Sequence, residues 1–226
     1  MDTLFYSSLV REKFSGEFEK LYLLLTEYNK RYNLTSITDR EDVYVKHFID
    51  SVVGEKYFPE GARVCEVGSG GGFPSLPLKI VRKDLNFTLI ESTGKKCEYL
   101  KAAASALGLD GVEVKNIRAE EGARDEAMRE KFDVCTARAV ARMNTLCEYC
   151  LPFVKIGGKF IAYKGDCDEE LKEAEKAIKI LGGQISVADK FSLNGEKRSV
   201  IVINKVAHVP EKYPRGRGLE RKKPIV

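Results

Sequence analysis

The sequence predicts an α/β fold in which a mostly parallel, doubly wound sheet follows a helical extension and ends in an antiparallel hairpin. Between residues 57 and 207, five short apolar runs alternate with segments of helical periodicity. Such alternation is typical of parallel strands joined by right-handed helical crossovers. The region then ends in two adjacent strand-like runs separated by Asn194-Gly195, which is a strong hairpin signal.

The first 56 residues are predicted to form the helical extension. Apolar residues recur at helical spacing from Phe18 to Tyr28, which predicts an amphipathic helix over residues 15–32. The polar stretch from Asn33 to Ser36 ends this helix. A second helix is predicted over residues 41–53.

The predicted strands are bounded by glycine, proline, asparagine or charged residues. In chain order they cover residues 62–67, 86–91, 112–116, 132–137, 159–164, 184–193 and 198–206. The intervening helices are predicted over residues 74–82, 95–107, 124–130, 141–155 and 168–181. These seven strands and their helices define one domain, residues 57–207.

Composition limits the class of protein. With 226 residues, 43% of them hydrophobic, the chain is long enough to bury one substantial core. Cys147 and Cys150 form a CxxC, but no second pair follows and there are only two histidines, so we predict no metal site and interpret the cysteines as core thiols. No window resembles a membrane span and the start lacks a signal peptide. The expectation is a cytoplasmic protein without a membrane partner.

The positive charge is concentrated at the carboxyl end. The formal net charge is +4, and residues 211–226 contain six lysines or arginines but only two acidic residues. We predict that this basic tail, residues 208–226, packs on or beside the domain and contacts a polyanion. A merely solvated chain end is the alternative.

A glycine-rich turn, Glu66-Val67-Gly68-Ser69-Gly70-Gly71-Gly72, follows the first predicted strand. In doubly wound sheets, ligands bind beyond the carboxyl ends of such strands. Glycine has no Cβ, so the backbone N–H groups of this turn can approach a ligand closely. The turn therefore predicts a ligand-binding site.

Three ligands are compatible with a turn of this kind. Phe73 stands where both a Walker loop and a dinucleotide fingerprint require glycine, which argues against nucleoside triphosphates and weakens the case for NAD. The remaining pattern, (D/E)xGxGxG, resembles the S-adenosyl-L-methionine (AdoMet) turn of class I methyltransferases, whose domain also ends in an antiparallel hairpin. Glu91 ends the second strand, where an acid can bind both ribose hydroxyls, although an NAD-dependent oxidoreductase would also place an acid there.

HFIDS at residues 47–51 is followed by GxGxGFPxxPL in the glycine turn and the helix after it. With these motifs the chain resembles the bacterial small-subunit ribosomal RNA (guanosine-N7) methyltransferase family, RsmG or GidB, and the combination is specific to that family. The resemblance extends in order over nearly the whole chain. It is carried by residues 32–52, 66–81, 89–101, 118–121, 136–146, 157–165 and 213–225. Glu66 and Ser75 depart mildly from the family, which commonly has Asp and Gly at these positions.

The resemblance implies a class I methyltransferase-like fold and AdoMet-dependent methylation of guanosine N7 in 16S ribosomal RNA. The partner would be small-subunit ribosomal RNA or the 30S particle. The family's cofactor contacts fall on Gly68, Phe73, Ala119, Glu120 and Arg138. Together with the glycine turn and the second strand, the predicted cofactor-binding residues are Gly68, Gly70, Phe73, Glu91, Ala119, Glu120 and Arg138.

The sequence after the fourth strand also limits the methylated atom. Amino-group methyltransferases have (D/N/S)PP(Y/F) there, whereas residues 135–140 read CTARAV. A C5-pyrimidine enzyme needs a cysteine nucleophile, and we interpret Cys135 as a core residue instead. Guanine N7 carries an unprotonated lone pair that can attack a methyl group directly, so catalysis would be by proximity and orientation. We therefore assign no general base.

Several basic residues are predicted to contact RNA, leaving base recognition to a flipped or single-stranded nucleotide. The candidates are His47, Lys95, Lys96, Arg138, Lys164, Arg215, Arg217, Arg221, Lys222 and Lys223. His47 and Asp50 could also border the methyl-transfer site. Removing residues 211–226 is expected to weaken RNA binding and spare AdoMet affinity. A non-catalytic ribosome-associated protein, which would bind RNA without methyl transfer, is a third possible function.

Overall fold

A seven-stranded sheet forms the centre of the protein in a computed structural model that describes residues 2–226. Its strands are β1 Arg63–Val67, β2 Asn86–Ile90, β3 Val112–Lys115, β4 Phe132–Arg138, β5 Val154–Lys164, β6 Gly183–Leu193 and β7 Glu196–Lys205. The spatial order is β3-β2-β1-β4-β5-β7-β6. The first five strands pair in parallel, and β7 is antiparallel to both β5 and β6. The predicted doubly wound sheet with a terminal hairpin is confirmed.

Helices cover both faces of this sheet. They are α1 Thr3–Ser8, α2 Ser15–Tyr32, α3 Arg40–Val43, α4 Asp50–Val52, α5 Ser75–Val81, α6 Gly94–Ala106, α7 Ala119–Gly122, α8 Met143–Cys150, α9 Asp168–Ile180 and α10 Leu219–Lys222. A π-helical segment, Tyr44–Ile49, joins α3 to α4, so that the second predicted helix of the extension is one continuous helical stretch. Within residues 2–226, no helix has the length and apolar character needed to cross a membrane.

The extension packs directly on one face of the sheet. Side chains alternate between the two faces along a strand; Val64 of β1 belongs to one buried apolar cluster, and its neighbour Cys65 belongs to the other. Phe18 and Leu21 of α2 are buried in the same cluster as Val64. The extension therefore shares a core with the sheet.

The basic tail packs on the opposite face. Val209, Tyr213 and Ile225 are buried in the cluster that contains Cys65. Arg124 donates to the carbonyl of Pro214 at 2.6 Å, and other tail carbonyls accept from Arg129. The tail is thus held by apolar burial and by hydrogen bonds to its backbone.

The prediction of a helix over residues 124–130 is wrong. The chain forms the short helix α7 earlier and then a series of turns. The Asp125 side chain accepts from the backbone N–H of Ala127, and Glu130 has a left-handed φ of 53°. Aspartate favours such turns because its side chain competes for backbone donors. Neither α1 nor α10 was predicted, and β5 begins five residues before its predicted start.

Candidate functional site

A cavity of about 500 Å³ lies at the carboxyl edge of the sheet, where the strands predicted to carry ligand-binding residues end. We call it cavity A. Its lining includes Gly68 after β1, Glu91 after β2, Ala119 and Glu120 of α7, and Arg138 at the end of β4. Five of the seven predicted cofactor residues therefore meet at one cavity, because the carboxyl ends of parallel strands share an edge.

Gly68 forms part of the wall of cavity A, and only glycine fits at this position. Its φ is +70°, and a Cβ at this position would lie 2.7 Å from Cγ2 of Val140. Its backbone N–H donates to the carbonyl of Ile90 at 2.8 Å. The turn is thereby fixed against β2, and its bare backbone faces the cavity.

The carboxylate of Glu91 holds the glycine turn in place. One of its oxygens accepts from the N–H of Gly70 at 2.9 Å and the other from the N–H of Thr93 at 2.8 Å. Each carboxylate oxygen can accept more than one hydrogen bond, so Glu91 still has capacity for hydroxyl donors in the cavity. An acid at the end of the second strand can bind the ribose hydroxyls of a nucleoside. The arrangement therefore fits a nucleoside cofactor such as AdoMet.

Two predicted cofactor residues, Gly70 and Phe73, do not line cavity A. Gly70 belongs to the turn and donates its N–H to Glu91. The Phe73 ring stacks on His47, with centroids 4.4 Å apart and an interplanar angle of 12°. The guanidinium carbon of Arg138 lies 5.0 Å from the centre of the same ring. Phe73 therefore connects the glycine turn to the extension.

A second cavity, of about 480 Å³, adjoins the first and shares Arg138 and Ala139 with it. We call it cavity B. The extension contributes His47 and Asp50, and the hairpin contributes Arg198. Arg198 was not predicted, because no local motif marks it and only the pairing of β7 with β5 brings it to this edge.

Arg138 lies between the two cavities and is fixed by the extension. Its Nη1 donates to the carbonyl of Lys46 at 2.9 Å and to Oδ2 of Asp50 at 3.0 Å. Its Nη2 lies 2.8 Å from Nδ1 of His47. Nε of Arg198 lies 3.4 Å from the other oxygen of Asp50. Burial raises the pKa of Asp50, and the two guanidinium groups act in the opposite direction.

His47 is buried and neutral. Because Arg138 can only donate, Nδ1 of His47 accepts, and Nε2 carries the proton that it shares with Oγ1 of Thr35 at 2.7 Å. Burial, followed by the charge of Arg138, lowers the pKa of His47 to about 3. Both ring nitrogens are engaged, so His47 acts here as a positioning partner of Arg138.

The predicted RNA contacts divide into exposed and engaged side chains. Lys164 forms a salt bridge with Glu170 at 2.7 Å, and Arg215 forms a bidentate salt bridge with the buried Glu148. These two side chains therefore stabilise the fold. The candidates that remain at the surface or at the rim of cavity A are Lys95, Lys96, Arg217, Arg221, Lys222 and Lys223.

The tail also forms part of cavity A. Gly218 and Arg221 line it, and the tail fills part of the core behind it. The expectation that removing residues 211–226 spares AdoMet affinity does not fit this arrangement. Replacement of exposed basic side chains, in place of deletion, separates the contribution of the tail to RNA binding from its contribution to the cavity.

The cysteines belong to the core. Within residues 2–226 all six are buried free thiols. Cys135 of β4 has no exposed surface and lies in the apolar cluster on the tail side of the sheet. A thiol at this position cannot reach a base in either cavity.

Glu66, at the end of β1, has no exposed surface. Burial raises its pKa from 4.5 to about 7, and the nearby Ser75 and Ser69 hydroxyls act in the opposite direction. A raised folded-state pKa stabilises the protein below the unfolded pKa, and this contribution is lost as the pH rises through the folded pKa.

We expect the wild type to lose on the order of 3 kcal/mol of unfolding free energy relative to Glu66→Gln as the pH rises from about 4.5 to about 7.5. Glutamine is neutral throughout, so it lacks this contribution, and the other titrating groups cancel in the comparison. Urea unfolding of both proteins across this range measures the difference. If the unfolding free energies of the two proteins change with pH in parallel, Glu66 does not have a raised pKa.

The chain is similar to known proteins over most of its length. The family model described as rRNA small subunit methyltransferase G, GidB, matches residues 15–201. A protein named ribosomal RNA small subunit methyltransferase G from Lactobacillus delbrueckii subsp. bulgaricus is 45% identical, over 92% of this chain and 90% of its own. A protein of the same name from Geobacillus sp. is 44% identical over 100% of both chains.

Solved structures are similar in fold. A SAM-dependent methyltransferase from Aquifex aeolicus has a TM-score of 0.55 and 17% identity, covering 79% of this chain and 97% of its own. A SAM-dependent O-methyltransferase from Thermotoga maritima also has a TM-score of 0.55 and 17% identity, covering 83% and 73% respectively. The predicted class I methyltransferase-like fold is confirmed.

Proposed function

The chain belongs to the rRNA small subunit methyltransferase G family, and on that premise we propose that it transfers the methyl group of AdoMet to N7 of a guanosine in small-subunit (16S) ribosomal RNA. Family membership bears out the resemblance read from the sequence motifs. The observation that supports the proposal most strongly is the pair of cavities that meet at Arg138 and Ala139. A cofactor in cavity A and a base in cavity B would face each other at that junction.

AdoMet is the proposed occupant of cavity A. Glu91 would accept hydrogen bonds from both ribose hydroxyls, Gly68 would pass close to the ligand through its bare backbone, and Ala119 and Glu120 would address the adenine edge. Gly70 and Phe73 would act indirectly, by shaping the turn. NAD is disfavoured because Phe73 stands where the dinucleotide fingerprint requires glycine. Calorimetric titration with AdoMet and with NAD separates the two.

The proposed chemistry needs no proton transfer by the protein. AdoMet supplies an electrophilic methyl group on a sulfonium. The lone pair of guanine N7 would form the new N–C bond as the S–C bond breaks, and the electrons of the S–C bond would remain on sulfur. The protein would contribute by aligning the reactants and excluding water. Both ring nitrogens of the neutral His47 are engaged, one by Thr35 and the other by Arg138, so His47 is not assigned as a base.

The RNA backbone is proposed to lie over the exposed basic residues of the tail. We expect replacement of Arg217, Lys222 and Lys223 with glutamine to make the slope of log K for RNA binding against log salt concentration less negative by about 2. Each lost phosphate contact removes about 0.7 from the magnitude of this slope for single-stranded RNA. AdoMet affinity is expected to stay unchanged. Filter binding of a small-subunit RNA fragment at several salt concentrations measures the slope.

Three lysines on α9 provide the matched control. Lys172, Lys176 and Lys179 are exposed, and α9 runs from the carboxyl edge of the sheet towards the opposite edge. Their replacement with glutamine removes the same charge from α9 and leaves the tail unchanged. If both triple variants flatten the slope equally, overall charge and not the tail determines the salt dependence.

A deletion strain tests the function in cells. We expect small-subunit RNA from a strain without the gene to lack one 7-methylguanosine, and the gene on a plasmid to restore it. Nucleoside mass spectrometry of the isolated RNA measures the modification. Unchanged 7-methylguanosine content would favour a non-catalytic ribosome-associated role.

A further inference from the structure

Asp50 and Arg138 place a hydrogen-bond acceptor directly beside a donor in cavity B. Oδ2 of Asp50 lies 3.0 Å from Nη1 of Arg138. Only 6% of Asp50 is exposed, and Arg198 lies beside its other oxygen. Burial raises the pKa of Asp50 and the two adjacent guanidinium groups oppose this effect; because both form ion pairs with Asp50, we take it as a carboxylate, which can only accept hydrogen bonds.

Both side chains retain unused hydrogen-bonding capacity. A guanidinium has five N–H donors, and Arg138 uses three of them, on Lys46, Asp50 and His47. Each oxygen of Asp50 has two lone pairs, of which the pairing with Arg138 and Arg198 takes one each. The pair can therefore accept from and donate to a base that enters the cavity.

This arrangement matches guanine and opposes adenine. Guanine carries the N1–H and N2–H donors next to the O6 acceptor, whereas adenine carries the N1 acceptor next to the N6 donor. We propose that Asp50 is the specificity-determining residue of the reaction: it accepts from N1–H and the 2-amino group of guanine while Arg138 donates to O6. The inference rests on the proposed function and adds the residue that selects the base.

The same contacts leave the reacting atom free. O6 lies between N1 and N7 on the edge of the purine, so Arg138 bonded to O6 orients the ring without covering N7. Arg138 also lines cavity A, which places N7 on the side of the proposed methyl donor. Adenine in the same position would set two acceptors against each other and leave buried polar groups unpaired, which enzymes use to reject analogues strongly.

The other carboxylates of cavity B are less suited to this role. Four carboxylates of the described chain line the cavity, and of these only Asp50 is buried. Glu170 pairs with Lys164, and Glu196 pairs with Lys46 and Arg198. Asp166 pairs with Lys197 at the surface, with 54% of its side chain exposed.

The test compares two substrates in the same enzyme preparation. The guanosine methylated by the wild type is first located, and small-subunit RNA is prepared with guanosine or inosine at that position. Inosine keeps N1–H, O6 and N7 and lacks only the 2-amino group. We expect the wild type to prefer guanosine by about 10- to 100-fold in kcat/KM, and the preference to fall to about one or below in Asp50→Asn.

This ratio does not depend on the fraction of active enzyme, so partial misfolding of the variant cannot produce the result. Asp50→Asn should also keep its AdoMet affinity, measured by calorimetry. The matched control is Asp166→Asn, which removes an exposed carboxylate of the same cavity and should keep the wild-type preference.

Two results would overturn the inference: equal rates of the wild type on both substrates, or an Asp50→Asn variant that keeps the wild-type preference. The proposed function is judged separately by the product of the wild type on guanosine RNA. If that product contains no 7-methylguanosine, the proposed function fails, and this inference fails with it.

Discussion

Glu91→Ala is expected to weaken AdoMet binding by about 100-fold. The proposed contacts are two hydrogen bonds from ribose hydroxyls to an ionised acceptor, which together correspond to about 3 kcal/mol. The substitution also removes the acceptor for the N–H groups of Gly70 and Thr93, so the turn itself loses its support. Isothermal titration calorimetry measures the dissociation constant.

Two variants control this experiment. Glu91→Gln keeps the shape but retains a single side-chain acceptor oxygen, so we expect an intermediate loss of affinity of about tenfold. Glu113→Ala removes an exposed carboxylate of β3 and should bind AdoMet like the wild type. If Glu91→Ala keeps both its melting temperature and the wild-type affinity, Glu91 does not bind the ribose.

Arg138→Met is expected to reduce the rate of methyl transfer by about 100-fold, because misplacement of a bound reactant by about 1 Å has an effect of this size. Methionine retains an aliphatic stem at the boundary of the cavities and removes the guanidinium that contacts Asp50 and His47. Single-turnover kinetics with bound AdoMet and saturating RNA measure the rate of the chemical step.

AdoMet affinity distinguishes two roles of Arg138. Its guanidinium bonds are all made to the extension, so we expect Arg138→Met to change AdoMet affinity by less than about tenfold. Lys96→Met, which removes a charge from the rim of cavity A, is the comparison. A large loss of AdoMet affinity with an unchanged single-turnover rate would make Arg138 a cofactor residue alone.

The sequence was sufficient to predict the sheet because hydrophobic periodicity and turn residues act locally. Asn194-Gly195 marks the β6–β7 hairpin, and the alternation of strands and helices implies parallel pairing. The helix over residues 124–130 was mispredicted because the side chain of Asp125 and contacts with the tail override helical propensity there.

The site was only partly accessible from the sequence. Residues at strand ends, such as Gly68, Glu91 and Arg138, could be predicted to converge, because topology brings strand ends to one edge. The engagement of Lys164 and Arg215 in internal ion pairs could not be predicted, since their partners Glu170 and Glu148 are brought close only by packing. Arg198 was missed for the same reason.

Methyl transfer from labelled cofactor is the most direct test of the central claim. The purified protein is incubated with AdoMet carrying a trideuterated methyl group and with small subunits that lack the modification, and the RNA is digested to nucleosides for mass spectrometry. We expect trideuterated 7-methylguanosine at about one per subunit, since the proposed reaction methylates one guanosine. Absence of label, or label in any other nucleoside, would contradict the account.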